Sequence, residues 1–164
     1  MRKIIILSFI LVSTFVNAQA YKGKGDVKFQ VGANIQKWGS GISVSNDFGV
    51  GENMSFGFVG SYLLNTNEEY GMPKFSDRFD IKARFNANIS NVLKLNDKID
   101  LYPGLDLGLR NFGAHLGGRY FFSDGFGLYS EVGFPLAKYD TNPTGYYYDL
   151  NNQFVLTIGT SFNL

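Results

Sequence analysis

The chain has 164 residues, with 15 basic and 14 acidic side chains, one histidine and no cysteine. The balanced charge gives no reason to expect a nucleic-acid partner, and the missing cysteine excludes disulfides, thiolate metal sites and a lipidated N-terminal Cys. Sixteen Phe, ten Tyr and one Trp accompany twenty Gly and only four Pro, a mixture that suits strands and turns better than helices.

Residues 1–20, MRKIIILSFILVSTFVNAQA, begin with a basic pair, Arg2 and Lys3, and continue into an apolar run. Small residues follow at Ala18 and Ala20. This is the pattern of a secretory signal peptide, with cleavage expected after Ala18 or Ala20. The run is short of the roughly 20 apolar residues of a spanning helix. Subtracting Arg2 and Lys3 from the 15 basic residues leaves 13 against 14 acidic ones, so residues 21–164 are nearly neutral. They read as a single domain without linker or long repeat.

Alternation of polar and apolar residues predicts eight strands. The first covers about 25–36, with Val27, Phe29, Val31, Ala33 and Ile35 on one face. The second covers about 41–50 and the third about 54–64, separated by the tight turn Gly51-Glu52-Asn53. A polar loop, 65–76, precedes the cleanest alternation in the chain, 77–90. There Phe79, Ile81, Ala83, Phe85, Ala87 and Ile89 oppose Arg78, Asp80, Lys82, Arg84, Asn86 and Asn88. The fifth strand is predicted at 99–109, weakened by Pro103, and the sixth at 114–122. Ser123-Asp124-Gly125 is a second tight turn before a strand at 126–136. A long loop rich in Tyr, Asp and Asn, 137–151, leads to the last strand, 152–164.

An even number of hairpin-connected strands suits a closed antiparallel up-and-down barrel. Alternation alone does not say which face meets water. The polar face is rich in glycine, including Gly32, Gly57, Gly104, Gly117 and Gly159. Glycine weakens a water-facing strand but fits a narrow interior. The same face carries charges of both signs: Lys28, Asp47, Asp80, Lys82, Arg84, Asp100, Asp106, Arg110, Arg119 and Glu131, together with His115. An enclosed interior requires such pairing. The apolar face ends in two aromatic sets, Trp38, Tyr62, Phe79, Phe134 and Phe154, and Phe48, Phe56, Phe122, Phe126 and Phe162. Girdles of this kind flank the apolar band of membrane barrels. The expectation is a transmembrane barrel with a polar lumen, short turns and both termini in the periplasm, and two long loops outside.

The signal ending NAQA, the arm GVGENMSFGFVGSYLL, the alternating fourth strand and the closing strand FVLTIGTSFNL carry a resemblance. Together they resemble the small outer-membrane β-barrel proteins of Gram-negative bacteria, most closely the exported barrels common in the Bacteroidota. That resemblance implies a location in the cell outer membrane, contact with outer-membrane lipid, and recognition by the barrel-assembly machinery through the terminal strand with Phe162. The chain ends in Leu164 where such strands usually end in Phe. The resemblance transfers no catalytic residue.

The expected role is non-enzymatic, either structural or in surface binding, with no cofactor and no metal. External candidates for a glycan or protein ligand are Glu68, Glu69 and Tyr70 in one loop and Tyr146, Tyr147 and Tyr148 in the other, since Tyr combines contact area with a polar tip. Oxygen ligands Asp140, Asn142, Asp149 and Asn151 fit no EF-hand spacing. Three alternatives stay open. The lumen charges can line a narrow or gated pore. A soluble secreted ligand-binding barrel would place the apolar face inside. A lipid-modifying enzyme would use His115 with Glu131, though Ser130 falls on the other face.

Overall fold

A computed structural model describes residues 19–67, 72–140 and 148–164. The signal segment 1–18, four residues of one long loop and seven of the other lie outside the described residues. Eight strands follow one another: β1 (Val27–Gln36), β2 (Gly39–Gly49), β3 (Met54–Thr66), β4 (Phe79–Ala87), β5 (Ile99–Gly108), β6 (Asn111–Phe121), β7 (Phe126–Lys138) and β8 (Val155–Asn163). Every strand pairs antiparallel with its sequence neighbours. β1 also pairs with β8, from Lys28↔Asn163 to Gln36↔Val155, which closes the barrel and leaves no free sheet edge. This is the up-and-down barrel that the alternation predicts. Among the described residues no helix is long and apolar enough to cross a membrane, which says nothing of a barrel.

The side chains are sorted inside out. Among the described residues, the buried set holds seven apolar or aromatic side chains against twenty-four polar or charged ones. The exposed set is dominated by Val, Ile, Leu and Phe on the outer surface, such as Phe85 at 43% and Leu107 at 62%. A barrel with an apolar interior is therefore not the arrangement this sequence adopts. Period-two alternation places most of the apolar set outward, apart from the inward Leu63, Tyr102, Phe121 and Tyr129, and it shifts at irregularities between Ser40 and Gly41 and between Phe112 and Gly113.

The aromatics lie near the strand ends, as expected. Phe29, Phe162, Phe126, Phe122 and Tyr120 form a chain of ring contacts, with successive centroids 6.4, 5.6, 6.2 and 5.1 Å apart, at the end that carries both termini. Towards the opposite end Tyr62, Phe75 and Phe79 stack at 5.4 and 5.7 Å.

Element boundaries differ from expectation where side chains compete with the ladder. The fourth strand starts at Phe79 because Phe75–Arg78 forms a one-turn helix, α1, whose first turn is closed by Asp77 accepting from the Lys74 N–H at 2.9 Å. It stops at Ala87 because β4 and β5 pair only from Lys82↔Gly108 to Asn86↔Gly104. Beyond that, Ser90 Oγ accepts the Leu101 N–H at 2.6 Å, replacing a backbone partner. The eighth strand starts three residues late, at Val155, since Asn151 and Asn152 turn into the barrel mouth.

Candidate functional site

The lumen is the densest concentration of chemistry in the molecule. Its space comes from glycine. Within cross-strand pairs, Gly57 faces Asp47, Gly104 faces His115 and Gly117 faces Tyr102. A Cβ on these glycines would come within 2.3, 2.4 and 2.1 Å of the opposing side chain. Each large inward group thus lies across its neighbour's missing side chain. That answers why a strand-weakening residue is so frequent on this face.

At the centre Arg84 donates from Nε and Nη2 to both Asp47 oxygens, each at 2.7 Å. Its Nη1 donates to Glu131 at 2.9 Å. Arg119 bonds the same Asp47 carboxylate and donates to Asp100 Oδ2 at 3.0 Å. Gln30 Oε1 accepts from Arg84 at 3.3 Å, from Arg119 at 3.2 Å and from Ser45 at 3.0 Å. Tyr102 lies beneath, its ring centroid 3.9 Å from the Arg119 guanidinium carbon. These groups come from six strands and fill the cross-section. Such a network is costly to break, because each partner removed leaves a buried charge uncompensated.

The network continues as a single hydrogen-bonded chain. Asn88 donates to Asp100 at 2.8 Å and accepts from Ser55 at 3.1 Å. Asn86 donates to Ser55 at 3.0 Å, and its carbonyl faces His115 Nε2 at 2.8 Å. His115 Nδ1 faces Asp106 at 3.0 Å. The chain thus links two carboxylates, Asp100 and Asp106, through Asn88, Ser55, Asn86 and His115.

Most predicted lumen residues are where alternation puts them. Lys28, Asp47, Asp80, Arg84, Asp100, Asp106, His115 and Arg119 are buried. Lys82 and Glu131 are half-buried, with Lys82 3.8 Å from Asp80. Two expectations are corrected. Arg110 sits at the barrel rim rather than within the lumen: β5 ends at Gly108, and Arg110 reaches the Ser76 carbonyl and, at 3.8 Å, Asp77. Glu131 does not partner His115, because it is taken by Arg84 while His115 holds Asp106 and Asn86.

Both mouths are stoppered by segments without periodicity, which sequence reasoning missed. At the terminus-bearing end, Ala20 is fully buried against Phe121, and its N–H donates to Asp97 at 2.7 Å. The Tyr21 hydroxyl donates to the Met54 carbonyl at 2.6 Å. Burial, aided by Asp26, raises the Tyr21 phenol to about 12. Lys28 pairs with Asp26 just inside, 5.5 Å from the Phe121 ring. At the opposite end Leu150, Asn151 and Asn152 fold inward. Asn151, in the left-handed region that Asn tolerates (φ 59), exchanges bonds with Gln36 at 2.8 and 3.1 Å. Asn111 donates to Asn152 at 2.8 Å. Between this cap and the arginine layer lies a polar cavity of about 40 Å³, lined by Asp80, Lys82, Asp106 and Glu131 among others.

Glu68, Glu69, Tyr70, Tyr146 and Tyr147 lie outside the described residues. Tyr148 bonds the Asp140 carbonyl, and its ring centroid is 5.2 Å from the Lys138 ammonium. Asp149 pairs with Lys138 at 3.0 Å.

Fold and interior together define an eight-stranded antiparallel up-and-down β-barrel with an apolar outer surface and a hydrogen-bonded polar lumen. The chain belongs to DUF6646, a family of unknown function, whose model matches residues 11–164. No curated protein matches the sequence. Among solved structures the barrel is similar to one from the de novo design of transmembrane β-barrels, at 11% identity and a TM-score of 0.49, covering 87% of this chain and 98% of the designed chain.

Proposed function

We propose that this protein is a non-enzymatic integral outer-membrane barrel, exported by its N-terminal signal, that serves the envelope as a structural element and presents its long loops to ligands outside. The observation that carries this reading is the outward apolar surface. Half-exposed Val, Ile, Leu and Phe cover the barrel wall, and an exposed apolar surface of this kind marks contact with lipid or with a partner. Strands of 9 to 13 residues match the length of a tilted bilayer crossing. Closure leaves no unpaired edge in lipid. A periplasmic position for both termini then puts the β3–β4 and β7–β8 loops outside.

A pore is not favoured, because the Arg84–Asp47–Arg119 layer and both stoppers occupy the lumen. An enzyme is not favoured either, because both His115 nitrogens are engaged by Asp106 and Asn86. Cell fractionation tests the proposal. The protein is expected in outer membranes, retained through a carbonate wash, with a heat-dependent shift on gel electrophoresis. Release into the soluble fraction would sink it.

A further inference from the structure

Residues 19–26 cross the terminus-bearing mouth. The Gly25 N–H donates to the Gly49 carbonyl, at the end of β2, at 2.8 Å. The Tyr21 hydroxyl reaches the β2–β3 connection, 3.0 Å from the Gly51 carbonyl and 2.6 Å from that of Met54. Ala20 completes the crossing. Its N–H donates to the Asp97 carbonyl at 2.7 Å, in the β4–β5 connection on the side of the closed barrel opposite β1. Its side chain is fully buried against Phe121 of β6. Gln19, one residue earlier, is exposed.

The signal segment offers two places for processing. Ala18-Gln19-Ala20 fits the usual small-x-small pattern for a cut after Ala20, and Val16-Asn17-Ala18 fits it less closely for a cut after Ala18. Sequence pattern alone therefore leans towards Ala20, and the mouth argues the other way. A cut after Ala20 removes the residue that bonds Asp97 and covers Phe121. It also puts the new α-ammonium on Tyr21, which is only 5% exposed. An ammonium without a counter-charge is costly to bury. The carboxylates whose charge reaches Tyr21, those of Asp26 and Asp100, are already held by Lys28 and Arg119. A cut after Ala18 leaves the stopper whole and places the ammonium on Gln19, in water.

We propose that a signal peptidase cuts this chain between Ala18 and Gln19, so that Ala20 and Tyr21 stay with the barrel as its built-in stopper. Hydrolysis adds one water across that amide, leaving a carboxylate on Ala18 and an ammonium on Gln19. The proposal rests on the export reading above. The full chain is expressed in a Gram-negative host, and the N-terminal peptide of the envelope-bound protein is identified by mass spectrometry. A start at Gln19 is expected. A start at Tyr21 would overturn the proposal and leave export standing. A chain still beginning at Met1 would refute export and the proposal together. Two variants separate the sites. Val16→Asp spoils only the cut after Ala18, so it is expected to lose the chain that begins at Gln19. Ala20→Asp spoils only the cut after Ala20, so it is expected to be processed like the wild type, a readout that does not depend on how stable its barrel is. The reverse pattern would overturn the proposal. Barrels refolded from chains beginning at Gln19 and at Tyr21 are then compared in urea. Loss of the bond to Asp97 and of the cover on Phe121 is expected to lower the folded-to-unfolded ratio about tenfold in the shorter chain. Equal stability of the two would overturn the stopper and the proposal with it.

Discussion

Asp47→Ala removes the carboxylate shared by two guanidiniums. Arg84 and Arg119 side chains are 1% and 0% exposed, and each loses its bond to Asp47. Arg84 keeps Glu131 and Arg119 keeps Asp100, so neither is left wholly without a counter-charge. Breaking a buried pair by deleting one partner costs about 3–5 kcal/mol. The retained carboxylates argue for the lower end, about 3 kcal/mol. At about 1.4 kcal/mol per tenfold, the folded-to-unfolded ratio falls on the order of a hundredfold. Urea unfolding in phospholipid vesicles, followed by Trp38 emission and the heat-dependent gel shift, reads this directly. Lys138→Ala is the matched control. Its pair with Asp149 is solvent-exposed, so it is expected to cost less than about 1 kcal/mol. If Asp47→Ala costs no more than Lys138→Ala, the lumen is hydrated and the packed-network account is wrong.

Gly117→Ala would drive a methyl into the Tyr102 ring, pinned under Arg119, and is expected to cost about 1–3 kcal/mol in the same unfolding assay. Gly118→Ala points outward into open space and should stay within about 0.5 kcal/mol, so equal effects would refute the steric argument. The Tyr21 hydroxyl titrates near 12 in the folded chain against about 10 unfolded, so the folded state holds its proton longer. Its contribution is complete below pH 10 and is lost as pH rises through 12. Tyr21→Phe should flatten the stability profile in that window, and an unchanged slope would count against the stopper. In planar bilayers the wild-type protein is expected to show no single-channel steps, and steady unitary conductance would revive the pore.

The faces of the barrel were legible because period-two alternation survives along most of each strand, shifting only at Ser40/Gly41 and Phe112/Gly113. Phe85 and Arg84 are assigned to opposite sides by counting alone. Glycine on the inner face signalled a cramped interior, and the Tyr102–Gly117 and His115–Gly104 pairs show the reason. Partner choice was not legible. Which carboxylate meets His115 depends on register across the lumen, and sequence order does not carry that: Asp106, directly across the β5–β6 pair from Gly113, wins over Glu131. Arg110 was misplaced because alternation was extended past the end of β5. The stoppers at Tyr21 and Asn151 have no periodic signal.

The central claim is that the apolar face lies in hydrocarbon, and one residue tests it. In a Trp38→Phe background, Val44→Trp places the sole tryptophan in mid-strand on the outer wall, where Val44 is 37% exposed between Val31 and Gly60. With the protein folded into vesicles of lipids brominated at graded chain depths, the account predicts blue-shifted emission quenched most strongly by the deepest bromines. Emission untouched by bromine at any depth would place this face against protein or water and contradict the account.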